Sequence, residues 1–138
     1  MRSQIAIPVL VLASLLAAGL AQGADPAKGF PAEQLDFFEK QVRPLLAANC
    51  LSCHGPQKQE GGLRLDTREA VLKGGDSGPA AIAGNAKESR LVQAIRREAD
   101  LQMPPSSSLR PEVVAALTRW VELGLPWPEG VPVKAGDA

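Results

Sequence analysis

One pentapeptide constrains this chain more than any other stretch: Cys50-Leu51-Ser52-Cys53-His54. Two thiols three residues apart lie on one turn of backbone and can reach the two vinyl groups on one edge of a porphyrin. An imidazole directly after the second thiol then falls beneath the iron, so this C-x-x-C-H spacing is the one that attaches haem through two thioethers with the His on the metal. Composition agrees with the motif. Only 4% of residues are aromatic, while there are 12 Pro and 13 Gly. Such a chain is rich in loops and poor in large side chains to bury, and a covalently held apolar plate would supply what the core lacks.

Three other chemistries use similar residues. A Cys50–Cys53 disulfide suits an exported protein, but so short a loop constrains little of the unfolded chain. A thioredoxin-type dithiol needs a βαβ setting, and the flanks here read as helices and loops. Zinc would take Cys50, Cys53 and His54, yet the sequence has no further Cys or His to close a four-ligand site. Nucleic acid is set aside on charge: 15 Lys and Arg balance 15 Asp and Glu, so the clustered positive charge that releases counterions is missing.

The opposite side of the iron is assigned by elimination. Beyond the pentapeptide and the initiating residue, the chain has no other His or Cys, no Tyr and a single Met. A soft axial ligand is therefore Met103, in a loop stiffened by Pro104 and Pro105. The bland reading of a lone Met is core filler. With His54 and Met103 both on the iron, the potential rises and no position is left for oxygen or peroxide, which favours shuttling electrons over catalysis.

The amino terminus reads as an export signal. A basic start at Arg2 precedes an uncharged apolar run from Ile5 to Leu20, and small residues at Ala21 and Gly23 place cleavage after Gly23. The rival is an uncleaved anchor at the lower edge of spanning length, interrupted by Pro8. Residues 1–23 are thus expected as signal, 24–31 as lead-in, 32–128 as the domain and 129–138 as a frayed, flexible tail. After signal removal no stable membrane span is expected.

Within the domain, Leu35, Phe38, Val42, Leu45 and Leu46 recur at helical spacing, with Pro44 bending or restarting the helix. Asp66 and Glu69 have capping-box spacing ahead of a second helix that Gly74-Gly75 ends. A third is expected from Asn85, burying Leu91, Val92 and Ile95, and a last one from Pro111 to Gly124 carries Val113, Leu117, Trp120 and Val121 inward. Gln102 to Ser108 is a loop presenting Met103. Only Gly62 to Asp66 alternates like a strand, so the fold class is mostly α.

Several blocks in one order are more specific than the pentapeptide. Phe38 with Val42-Arg43-Pro44-Leu45-Leu46, Asn49 to Gly55, Gly61 to Asp66, Gly74 to Gly78, Ser89-Arg90-Leu91, Met103-Pro104-Pro105 and Trp120 to Gly124 together resemble the planctomycete-type cytochrome c domain over Phe30 to Pro128. The resemblance departs at Ala81 to Asn85, where that family often has a Pro-Gly step. It implies a class I-like cytochrome c: a small helical domain wrapped around one covalently bound haem c. Cys50 and Cys53 would be the attachment points, with His54 proximal and Met103 distal. The family commonly fuses this domain ahead of larger partners, whereas this chain stops after the haem module, so the redox partner is expected on a separate chain.

With that architecture the first and last helices cross, Phe38 meets Trp120 as core packing, and Trp127 packs the final turn. Arg64 either pairs with a haem propionate or stands solvated on the surface. The function expected is an exported, periplasmic, mono-haem electron carrier rather than an enzyme. Its rivals are a haem enzyme or gas sensor with an open or labile sixth position, and an interaction module in which haem is structural.

Overall fold

The computed structural model describes residues 29–98 and 100–138. The expected signal, its cleavage site and most of the lead-in lie outside the described residues. Among those described there are five α-helices, short 3-10 and π segments, and no strand; the pairings that exist are isolated bridges such as His54 with Gln59. Leu63 and Leu65 alternate as a strand would but line an extended connection. Among the described residues no helix is long and apolar enough to cross a membrane.

The first helical rod is built from α1 (Ala32–Phe37), a π segment (Phe38–Val42) and α2 (Arg43–Asn49). Pro44 restarts the helix as its chemistry requires. It has no N–H to donate to the preceding turn and its ring crowds the carbonyl there, so the ladder widens just before it and resumes as α2. The widened turn seats Phe38 and Val42, both fully buried.

Two shorter helices begin later than the spacing of polar residues indicated. Helix α3 (Arg68–Lys73) is capped by Thr67, whose hydroxyl accepts from the Ala70 N–H at 3.1 Å. Asp66, the expected cap, is buried and turned to a bidentate pair with Arg64 at 3.0 and 2.6 Å. Helix α4 (Arg90–Ile95) starts after Ser89. Asn85 does accept the Glu88 N–H, but it closes a turn of the Ala81–Asn85 loop. The buried Ser89 hydroxyl pins that loop, accepting from the Ile82 N–H and donating to the Asn85 carbonyl.

Helix α5 (Pro111–Glu122) runs as its pattern predicts, with Val113, Leu117, Trp120 and Val121 buried. Beyond it Phe38, Trp120 and Trp127 form one aromatic cluster. Trp127 lies closer to Phe38 (4.5 Å between centroids) than Trp120 does (6.2 Å). Both indoles donate to carbonyls, Trp120 to Pro126 and Trp127 to Val131, as buried indoles need to.

The terminal segment differs from the frayed tail expected of it. Val133 is 1% exposed, and its N–H donates to the Asp66 carbonyl at 2.8 Å. The buried Arg43 guanidinium reaches the Pro132 carbonyl, Asp137 and Glu39. One valine is enough to dock a polar tail here. Burying its side chain is worth about 1.5–3 kcal/mol, and the fork of Arg43 has donors to spare for the carbonyl beside it.

Candidate functional site

Helix α2 ends at Cys50, and the backbone turns tightly through the pentapeptide. The His54 N–H donates to the Cys50 carbonyl at 2.9 Å and the Cys53 N–H to the same oxygen at 3.2 Å. The following residues lace that turn to the rest of the chain. The Glu60 N–H donates to the Cys53 carbonyl and the Leu65 N–H to that of His54. Both thiols and the imidazole are thereby carried on one backbone corner.

That corner forms part of the wall of a cavity of about 590 Å³. Cys50, Cys53, His54 and Met103 all line it. Aliphatic side chains supply much of the rest: Leu46 from α2, Leu63 and Leu65 from the extended connection, Leu91 and Ile95 from α4, Leu117 from α5. None of the five aromatic side chains lines it. The apolar lining, with a few polar groups, has the character and size of a site for a cofactor-sized ligand.

Part of the rim, at Gly61, Gly75 and Gly78, is formed where backbone segments meet directly. Gly74 has φ +76°, and a Cβ there would collide with the Gly78 carbonyl; one at Gly75 would collide with that of Gly61. The Asp76 N–H donates to the Gly61 carbonyl at 2.9 Å. The rim segments thus meet backbone to backbone, a contact only glycine permits.

The chemistry of the donors separates the readings left open by spacing. Cys50 and Cys53 are free thiols. Burial pushes the Cys50 thiol up to about 12, the opposite of the lowered value that a reactive dithiol needs. Among the described residues no group of three His, Cys, Asp or Glu converges on a point that could hold a metal ion by itself. Met103 is 37% exposed and outside the core cluster, so it is not core filler. His54 Nδ1 is the one buried side-chain nitrogen or oxygen among the described residues without a hydrogen-bond partner. Such an atom in a native fold calls for a ligand or a partner.

Neither reading of Arg64, propionate partner or solvated surface side chain, describes where it lies. Arg64 is absent from the cavity wall and committed to Asp66. Arg90 lines the cavity and has no carboxylate partner among the described residues. Its position, just after the buried Ser89 at the start of α4, is legible only once the helix start is known.

A helical domain whose apolar cavity is faced by a thiol pair, an imidazole and a thioether has the protein parts of a c-type cytochrome. Residues 50–107 match the family model described as Planctomycete cytochrome C. The match runs from the first cysteine through the Met103 loop, so the likeness read from motifs is found independently over this segment, while α1, α2 and α5 lie outside it. No curated protein matches the chain, nor does any solved structure.

Proposed function

We propose that this chain is an exported mono-haem c-type cytochrome that carries single electrons, with His54 and Met103 as axial ligands. The observation that carries the reading is the convergence of Cys50, Cys53, His54 and Met103 on one apolar cavity. The residues fit the group: thiols for two thioethers, a half-buried imidazole with one buried, unpartnered nitrogen, a thioether in a proline-stiffened loop, and aliphatic walls. When bound, the haem would supply a one-electron ferric/ferrous couple. Cys50 and Cys53 would tether it, His54 and Met103 would hold the metal, and Leu46, Leu91 and Leu117 would exclude water and so raise the potential. Arg90, which lines the cavity, would supply the cation for a propionate, whereas Arg64 is held by Asp66. It would exchange electrons with a redox partner protein, and the apolar amino-terminal run directs the chain to the periplasm.

Two measurements test this on the exported protein. Mass spectrometry is expected to find the mass of one haem, lost in a Cys50→Ala, Cys53→Ala variant. The ferric spectrum is expected to show the methionine sulfur-to-iron charge-transfer band at the red edge of the visible, absent in Met103→Ala. A high-spin ferric spectrum, with carbon monoxide binding readily to the reduced protein, would instead indicate the open site of an enzyme or gas sensor and overturn the electron-carrier reading.

A further inference from the structure

The loop that carries Met103 has no ladder of its own. From residue 101 to 110 there is neither helix nor strand, and Pro104 and Pro105 have no N–H to offer. A ligand loop of this kind has to be held from outside. Around Met103 two residues do so, Ala94 near the end of α4 and Arg97 just beyond it. The Ala94 carbonyl accepts from the Arg97 N–H (3.1 Å) and from the Met103 N–H (2.9 Å). The Arg97 guanidinium then grips the loop on both sides of Met103. Its Nη2 donates to Gln102 Oε1 at 2.7 Å, and its Nη1 donates to the carbonyls of Pro104 and Ser107, each at 3.0 Å.

These three acceptors are neutral, and a charged donor strengthens each bond beyond what a neutral one would give. Arg97 also stands at φ +60°, a conformation glycine or asparagine adopts with less strain. What the residue supplies is therefore the planar fork, whose diverging donors a lysine cannot reproduce. Resting on the proposal that Met103 ligates the iron, we infer that Arg97 is the positioning residue for that ligand: its guanidinium clamps residues 102–107 and keeps the thioether from leaving the metal.

The test is the rate at which imidazole binds the ferric holoprotein, since at saturating imidazole that rate is set by departure of the methionine. Arg97→Gly removes the fork while relieving the backbone, and is expected to raise the limiting rate about tenfold or more. Arg97→Lys should fall between it and the parent, and Gln102→Ala, which deletes one acceptor, should give a smaller rise in the same direction. Arg96→Ala removes an equal charge from a side chain that reaches Thr118 instead. Val133→Ala weakens the core away from the cavity. Both should keep the parent's rate. The inference is overturned if Arg97→Gly and Gln102→Ala match the parent, or if Val133→Ala speeds binding as much as Arg97→Gly does. A parent protein lacking the sulfur band fails earlier and differently, because it removes Met103 from the iron before any variant is compared.

Discussion

Asp66 and Arg64 show how much one side chain's direction matters. The Asp66 carboxylate is 2% exposed, and the half-exposed Arg64 guanidinium is its charge partner. Replacing Arg64 by Ala leaves that charge buried and uncompensated, and should cost about 1–3 kcal/mol in denaturant unfolding. The reduction potential of the haem-loaded protein should stay where it was. Arg90→Ala should do the reverse, leaving stability within about 0.5 kcal/mol. It should lower the potential by about 10–40 mV, the worth of one exposed charge contact to a one-electron couple. Equal effects of the two variants on the potential would remove Arg90 from its assigned place. The sequence could not rank these arginines, because which one faces the cavity depends on Asp66 being turned inward and on α4 starting at residue 90.

At the scale of elements, the glycine rim offers the sharpest expectation. Gly74 ends α3 and touches the Gly78–Pro79 backbone, so Gly74→Ala imposes both a positive φ and a clash. A loss of about 2–4 kcal/mol is expected in thermal or chemical unfolding. Gly130→Ala is the control, since its Cβ would meet open space and only its own φ cost of about 1 kcal/mol remains. Helix existence was legible here because apolar spacing survives translation into structure: Val113, Leu117, Trp120 and Val121 face inward as their intervals require. Helix starts were not. Asp66 and Thr67 are both good caps, and the choice between them was made by Arg64, while Asn85 spent its cap on a turn rather than a helix. The candidate site was legible as four residues but not as a cavity, since its walls come from segments far apart in the chain. The grip of Arg97 on the Met103 loop carries no local pattern at all.

For the molecule as a whole, the terminal segment acts as a strap across α2, held by Val133 in the core and by Asp137 on Arg43. The Asp137 carboxyl is held below the usual carboxylate range, first by the Lys134 N–H and then by the Arg43 guanidinium. Its folded value thus lies under its unfolded one, and the stability it contributes is present above the unfolded value and lost as pH falls through the folded one. Melting temperature should therefore fall on acidification below the ordinary aspartate range by less in Asp137→Asn than in the parent; parallel curves would show the strap to be electrostatically idle. The same architecture sets all five aromatic residues apart from the cavity, with Trp120 and Trp127 only 5.8 Å from each other. In a haem-loaded chain these paired indoles would form a single fluorescent donor whose excitation drains into the porphyrin while the domain is intact, so brightening of its emission would report, without any added label, the moment the aromatic cluster and the cavity come apart.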